Sequence, residues 1–159
     1  MQKDEAFTYF WQGPFSQWHF SNFEIDGVVY NTAEQWMMAE KARLFADDKT
    51  LALIIKSTNP KEQKALGRKV ASFNAVEWER HAQNIVKKGS FAKFTQNPRL
   101  IKLLEVTAGT TLVEASPFDR IWGIGLSEKD PRAQMRDTWA GQNLLGQILT
   151  ELRLELLGK

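Results

Sequence analysis

Alternating and helix-spaced apolar positions divide this chain into a few short strands and several longer helices. Phe7–Phe10 and Thr110–Val113 have the length and the apolar composition of strands. Asp26-Gly27, within the segment 24–31, predicts a β-hairpin, because these residue types accept the positive φ angles that two-residue hairpin turns need. The pattern therefore predicts a strand and a hairpin near the N-terminus and a further strand near residue 110.

Capping residues mark where the helices begin. Thr32, with Gln35 three residues later, forms a capping-box pattern and predicts a helix from Ala33 to about Ala46. Further helix starts are predicted at four caps: Asp47 or Asp48, Asn59-Pro60, Asn74 and Asn97-Pro98. The helix after Asn59-Pro60 is predicted to run to residue 72, and the helix after Asn74 contains Gly89 as a candidate break. The last helix has an apolar stripe that predicts burial of Leu145, Leu149, Leu152 and Leu156.

These elements predict an α+β fold that is mostly helical, with a few short strands. A chain of 159 residues fits one domain with an ordinary core. The sequence contains no internal repeat and no low-complexity segment or linker. We therefore expect a single domain over residues 1–159.

Composition excludes several classes of protein. Hydrophobic residues make up 43% and charged residues 25%, which argues against a disordered chain or a membrane protein. The sequence has no cysteine, so disulfides and thiol chemistry are excluded, and with no secretory signal evident we expect a cytoplasmic protein. Two histidines argue against a histidine-rich metal centre. A formal charge of +2 is too small to indicate nucleic acid as a partner.

The aromatic content is high, with six tryptophans and ten phenylalanines. One interpretation is a tryptophan-rich core, because these side chains supply much buried area. The other is stacking on a planar ligand, because aromatic faces bind nucleobases. We expect about four of the six tryptophans in the core and one or two facing a ligand.

The first predicted helix places two charges on an apolar face. Four of its residues fall within about 60° of one another at 100° per residue: Glu34, Met38, Lys41 and Phe45. A carboxylate in the first turn suits the helix dipole, and a lysine can extend its amine to solvent, so both charges have a structural explanation. The alternative is that Glu34 and Lys41 line one side of a pocket.

The segment 112–126, LVEASPFDRIWGIGL, predicts a shaped loop after a strand. It places a carboxylate, Asp119, close to an aromatic side chain, Trp122. Gly123 and Gly125 let another group approach the main chain. Such a loop could hold a sugar or a base, or it could be a surface turn whose tryptophan packs into the core.

A basic cluster occupies two of the predicted helices and consists of Lys56, Lys61, Lys64, Arg68 and Lys69. Such a cluster is usually a solvated face, and it could also receive a phosphate.

Several motifs recur in a fixed order along nearly the whole chain, from about Phe7 to Leu157: Ser21-Asn22-Phe23, EQWMMAEKA (34–42), Trp78, KF-x-Q-N (93–97), L-x-x-T (104–107), LVEAS-x-x-D-x-IWG-x-G (112–125) and N-x-L-G (143–146). No single motif is very specific, but the set in this order and spacing is. The sequence resembles the YbiA-like N-glycosidase family, also called the NADAR superfamily.

The resemblance implies hydrolysis of an N-glycosidic bond between a ribose carbon and a nitrogen, without a metal or organic cofactor. The implied small-molecule substrates are phosphoribosyl-amine intermediates of riboflavin biosynthesis. ADP-ribose attached to a base such as guanine is the alternative, with nucleic acid a partner only as an ADP-ribosylated substrate. Because the segment Trp-Gly-Ile-Gly departs from other members after Trp-Gly, the substrate stays open.

The resemblance also implies a set of site residues. The expected catalytic residues are Glu34, Asp119 and Lys41, and in some members the helix lysine is thought to act covalently on the opened sugar. The expected substrate-binding residues are Asn22, Trp78, Trp122, Gly123 and Asn143.

Two chemical routes fit these residues. Glu34 and Asp119 could act as a carboxylate pair, one stabilising positive charge at C1′ or activating water and the other protonating the leaving nitrogen. Alternatively Lys41 could be the nucleophile, which requires a lowered pKa. A protein that only binds ADP-ribose or a nucleotide is a further alternative, although a reader of an anionic ligand has little reason to carry the carboxylate pair.

Overall fold

The computed structural model describes residues 4–159 of the chain. The described residues form four short strands: β1 (Phe7–Phe10), β2 (Phe23–Ile25), β3 (Val28–Tyr30) and β4 (Thr111–Glu114). They also form six α-helices: α1 (Ala33–Leu44), α2 (Asp48–Lys56), α3 (Pro60–Gly67), α4 (Ala75–Thr95), α5 (Pro98–Val106) and α6 (Leu144–Leu157). Two 3₁₀ helices, Pro131–Gln134 and Arg136–Thr138, precede α6. The fold is α+β and mostly helical, as predicted.

The chain forms two compact units, and the first contains the residues up to Ser16 together with Pro98–Lys159. In this unit β1 pairs in parallel with β4, with Phe7 opposite Thr111 and Phe10 opposite Glu114. Helix α6 packs against β4. A core cluster of buried side chains includes Val113, Ala115, Ile124, Leu126 and Ala133. The strand pair and α6 thereby hold the two ends of the loop that follows β4.

The second unit contains Gln17–Asn97 and is built around α1. Helix α1 packs against α2, α3 and α4, and most of its residues are buried. Strands β2 and β3 form an antiparallel hairpin with Asp26 and Gly27 in the turn, both at positive φ, as the sequence predicts. The expectation of one domain over 1–159 stays a prediction, because each unit is compact by itself.

The predicted helix starts are confirmed, while two other helix details differ from the predictions. Helix α3 ends at Gly67 and not at residue 72. The predicted break at Gly89 is wrong, because α4 runs without interruption from Ala75 to Thr95. Gly89 is instead a packing site: a Cβ there would lie 2.3 Å from Cδ1 of Trp36. The glycine allows the indole of α1 to lie directly on the α4 backbone, where Trp36 Nε1 donates to the carbonyl of Ile85.

The expected distribution of the tryptophans is also wrong. All six lie within the described residues, and Trp36 is the one that is buried, with 2% of its surface exposed. Trp11 and Trp18 are exposed, and the other three are half-buried: Trp78, Trp122 and Trp139. The core is formed mainly by aliphatic, methionine and phenylalanine side chains, so most of the tryptophan faces are partly accessible.

Across residues 4–159, none of the helices combines the length and the apolar character that crossing a bilayer requires.

Candidate active site

The first turn of α1 holds Glu34 in a buried position. Thr32 caps the helix, since its hydroxyl accepts from the Gln35 amide at 3.0 Å, and the Gln35 side-chain oxygen accepts from the Asn31 amide at 2.8 Å. The backbone amide of Glu34 donates to the carbonyl of Gln17 at 2.9 Å. Only 5% of the surface of Glu34 is exposed, so the structure places this carboxylate inside the unit and not on a solvated face.

Lys41 lies two turns further along α1, with its amine against aromatic rings. Nζ is 4.5 Å from the ring centroid of Phe73 and 5.7 Å from that of Trp78. The side chain is half-buried. Burial lowers the pKa of Lys41, the nearby Glu34 carboxylate opposes this shift, and the Arg68 guanidinium adds to it, so the net pKa is below the ordinary lysine value. The structure therefore brings together three of the predicted residues, Glu34, Lys41 and Trp78.

Phe73 is a site residue that the sequence analysis missed. It is 47% exposed, contacts the Lys41 amine, and packs edge-on against Phe45 with ring centroids 5.5 Å apart. The preceding Ser72 has a φ of 60°, and the amide of Ala71 donates to an oxygen of Asp47 at 2.9 Å. This anchored, strained turn directs the ring toward Lys41.

A sequence signal for Phe73 was present. The residue precedes the helix cap Asn74, whose side chain accepts from the Glu77 amide at 3.0 Å. An apolar residue just before a cap commonly packs toward the fourth helical residue, which here is Trp78. That spacing could have placed Phe73 beside Trp78 and hence beside Lys41.

Asn22 lies in the same unit, just before β2, and its side chain is exposed. Its backbone carbonyl accepts from Asn97 Nδ2 at 3.0 Å, which ties the segment before the hairpin to the end of α4. Within the described residues the Asn22 amide group makes no hydrogen bond to Glu34 or Lys41. Its role in substrate binding stays a prediction.

In the other unit, Asp119 organises the loop after β4. Its Oδ1 accepts from the amides of Ile121 and Trp122, both at 2.9 Å, and its carbonyl accepts from the Gly125 amide at 3.0 Å. The carboxylate thus closes the turn that presents Trp122, which is half-buried. Asp119 therefore has a structural role in this loop, and its catalytic role stays a prediction.

Gly123 and Asn143 fix the same loop to β4 and α6. A Cβ at Gly123 would lie 2.9 Å from the carbonyl oxygen of Glu114, so a larger residue does not fit. Asn143 has no exposed surface and a φ of 55°; its Oδ1 accepts from the Glu114 amide at 2.9 Å and its Nδ2 donates to the Leu112 carbonyl at 3.0 Å. Both polar ends of the Asn143 side chain are therefore engaged by β4, which gives it a positioning role. Its substrate-binding role stays a prediction.

Over the described part of the chain, His, Asp and Glu side chains form no group of three or more that could hold a metal ion. The chemistry that the arrangement around α1 offers by itself is that of an amine with a lowered pKa, a buried carboxylate, and two aromatic faces. This combination suits attack on, and proton transfer to, an electrophilic carbon that carries a planar leaving group.

Comparisons with known proteins identify the family. The sequence model of the NADAR domain matches residues 4–157. The chain is 43% identical over 146 residues to N-glycosidase R617 of Acanthamoeba polyphaga mimivirus. The aligned region covers 89% of this chain and 86% of that protein. It is 32% identical to N-glycosidase YbiA of Escherichia coli, over 86% of this chain and 80% of that protein. This protein belongs to the NADAR domain family.

Structural and partial sequence matches agree with this assignment. The NMR structure of Escherichia coli YbiA superimposes with a TM-score of 0.79 and 28% identity, and covers 98% of this chain and 87% of that one. A shorter match, 36% identical over 83 residues, is to the chloroplastic riboflavin biosynthesis protein PYRR of Zea mays. It spans 52% of this chain and 12% of the maize protein.

Proposed function

We propose that this protein hydrolyses the ribosyl C–N bond of a phosphoribosylamino-pyrimidine, an intermediate of riboflavin biosynthesis, in the cytoplasm. The coarser statement rests on the N-glycosidases among its relatives: the protein is a hydrolase that acts on N-glycosyl bonds. The partial match to a riboflavin biosynthesis protein supports an intermediate of that biosynthesis as the substrate. The observation that carries the proposal is the Lys41 amine, which lies against Phe73 and Trp78 in the same unit as the buried Glu34.

In the proposed mechanism, the ring-opened sugar is transferred to Lys41. Glu34 protonates the ring oxygen, the bond from C1′ to that oxygen breaks, and C1′ becomes doubly bonded to the pyrimidine-bearing nitrogen. The neutral Lys41 amine then adds to C1′ and forms a second C–N bond, while the electron pair of the double bond returns to the pyrimidine-bearing nitrogen. A proton passes by way of Glu34 from the new ammonium to the pyrimidine-bearing nitrogen. Phe73 and Trp78 offer faces for the pyrimidine ring.

The second half of the reaction releases both products. The bond from C1′ to the pyrimidine nitrogen breaks, the aminopyrimidine leaves with the electron pair, and C1′ stays doubly bonded to the Lys41 nitrogen. Water adds to C1′ and gives a proton to Glu34. The proton of the new hydroxyl group passes to the Lys41 nitrogen as the C1′–Lys41 bond breaks, which restores the amine and releases ribose 5-phosphate as its aldehyde. The lowered pKa of Lys41 supports this route over the carboxylate-pair route, because the attacking amine must be neutral.

A product assay on two substrates tests the proposed function. The first substrate is a phosphoribosylamino-pyrimidine and the second is an oligonucleotide that carries ADP-ribosyl-guanine, each incubated with wild type and with Glu34→Gln. We expect release of ribose 5-phosphate from the first substrate and a loss of about 10²- to 10⁴-fold in the variant, the range for removal of a general acid–base. Release of ADP-ribose from the second substrate alone would show that the substrate is an ADP-ribosylated base and not an intermediate of riboflavin biosynthesis. Turnover of neither would favour a non-catalytic binding protein.

The pH dependence of kcat/KM follows from the pKa of Lys41. Activity requires the neutral amine, so the rising limb of the profile passes through the folded pKa of Lys41, and the profile falls again at higher pH because the first step requires a protonated acid. Because burial lowers that pKa, we expect the midpoint below the ordinary lysine value of about 10.4. Arg68→Gln removes a like charge and is expected to move the midpoint to higher pH. A wild-type midpoint at or above the ordinary value would contradict the amine route.

The loop residue Asp119 is tested by two substitutions with different structural effects. Asp119→Asn keeps a side-chain oxygen that can accept from the amides of Ile121 and Trp122, whereas Asp119→Ala removes it. A catalytic carboxylate would make both variants inactive, by about 10²-fold or more. If Asp119 only shapes the loop, Asp119→Asn would retain activity within about tenfold and only Asp119→Ala would lose it. The predicted catalytic role requires that Asp119→Asn be inactive while its melting temperature equals that of wild type.

A further inference from the structure

Two cations, Lys64 in the last turn of α3 and Arg68 at its C-cap, point to an anion site that the proposed mechanism does not use. Lys64 and Arg68 are one helical turn apart, about 6 Å along the axis, and the Arg68 amide donates to the Lys64 carbonyl at 3.2 Å. Like charges at this spacing repel each other and destabilise a helix. Both side chains are exposed, and neither forms an ion pair with any residue in the range 4–159. The fold therefore maintains a local excess of positive charge that an anion would neutralise.

Close packing of α3 on α1 brings this pair toward Lys41. A Cβ at Gly67 would lie 1.9 Å from the sulfur of Met38, so the end of α3 lies directly on that side chain. Arg68 follows Gly67 in the chain, and Lys41 lies about one turn beyond Met38 on α1. The two cations are close enough for Arg68 to lower the pKa of Lys41. The guanidinium and the amine thus belong to the same part of the surface.

An aromatic side chain extends the cationic surface. Nζ of Lys64 lies 5.9 Å from the ring centroid of Trp18, which is 40% exposed. Along this surface the groups follow one another in the order Lys41 amine, Arg68 guanidinium, Lys64 ammonium and Trp18 ring. A fork of guanidinium donors and a second cation one turn away are the groups that bind a phosphate ester.

We propose that Arg68 and Lys64 bind the phosphate on the 5′ oxygen of the ribosyl substrate while C1′ of the same sugar is at Lys41. This inference rests on the proposed function and deepens it, because it assigns the phosphate end of the substrate. Two kinds of substrate carry a phosphate on this oxygen: a phosphoribosyl compound carries a monoester, and ADP-ribose carries a diphosphate. In both, the sugar ring separates the charged group from the reacting carbon.

Calorimetric binding of products and of a neutral analogue tests the proposal without turnover. Ribose 5-phosphate, ADP-ribose and ribose would each be titrated into wild type, Arg68→Gln, Lys64→Gln, the double variant and Lys69→Gln. Lys69 carries the same charge and is exposed but lies beyond the C-cap of α3, where its amide donates to the Leu66 carbonyl, so its variant controls for net charge. We expect each single variant to weaken ribose 5-phosphate binding about tenfold and the double variant more, with Lys69→Gln near wild type.

The alternatives give distinct results. Removal of Arg68 raises the pKa of Lys41 and thereby favours the cationic form of Lys41. A cationic Lys41 would bind an anion more strongly. A weaker affinity in Arg68→Gln therefore cannot arise through Lys41. Loss of affinity for ADP-ribose but not for ribose 5-phosphate would support the anion site and assign it to the diphosphate. Equal affinity in the double variant and in Lys69→Gln, or no binding of either phosphate compound by wild type, would overturn the proposal. Normal phosphate binding in a wild type that hydrolyses neither substrate would reject the proposed function and leave the anion site standing.

Discussion

Replacing Lys41 with methionine is expected to lower kcat/KM for the ribosyl substrate by at least about 10³-fold, which corresponds to about 4 kcal/mol of transition-state stabilisation. The amine is the proposed nucleophile, and no other side chain in the mechanism forms a bond to C1′. Methionine retains the apolar stem that packs near Phe73 and Trp78 while it removes the nitrogen. The measurement is initial-rate release of ribose 5-phosphate at several substrate concentrations.

Two controls separate chemistry from folding in this experiment. The melting temperature of Lys41→Met should equal or exceed that of wild type, because burial disfavours the charged amine. Lys49→Met, at an exposed position near the start of α2, should keep full activity. A Lys41→Met enzyme within tenfold of wild type would exclude the amine as nucleophile.

Replacing Gly146 with alanine is expected to destabilise the protein by at least about 4 kcal/mol, the range of exceptional single substitutions. A Cβ there would lie 2.1 Å from the Leu112 carbonyl oxygen and 2.4 Å from Oδ1 of Asn143. The first of these atoms belongs to the backbone of β4, so no side-chain rotation relieves the clash. Helix α6 would have to move away from β4, which breaks the Asn143 hydrogen bonds to Leu112 and Glu114.

Thermal unfolding measures this effect directly. For a protein of this size, a loss of about 4 kcal/mol lowers the melting temperature by about 10 °C. Glu155→Ala is the matched control, because it introduces an alanine at an exposed position of the same helix, α6. It should change the free energy of unfolding by no more than about 0.5 kcal/mol. A Gly146→Ala protein that melts within about 2 °C of wild type would show that α6 and β4 are not packed as described.

Features that depend on a few neighbouring residues could be predicted from the sequence. Thr32 and Asn74 were identified as caps because their side chains bond to amides three residues away. Asp26-Gly27 was identified as a turn because the positive φ angles are local requirements. The placement of Glu34 and Lys41 on one face of α1 followed from helix geometry alone.

Features that depend on distant partners could not be predicted. Gly89 suggested a helix break, whereas its role is set by Trp36, which lies far from it in the sequence. The positioning role of Asn143, whose side chain bonds to the Leu112 carbonyl and to the Glu114 amide, could not be read from its neighbours in the sequence. Counting tryptophans suggested a tryptophan-rich core, whereas burial is decided by which helix faces meet. The catalytic and binding roles of the individual residues stay predictions, because local geometry positions a side chain without showing what it binds.

The most direct test of the account is to trap the sugar on the enzyme during turnover. Borohydride added to the working enzyme would reduce the C1′–lysine double bond and make the adduct permanent. We predict that intact-mass analysis shows one added, reduced ribose 5-phosphate, that peptide mapping locates it on Lys41, and that Lys41→Met forms none. The account would be contradicted if wild type forms no adduct during turnover and Lys41→Met is active. That result would favour the carboxylate-pair route.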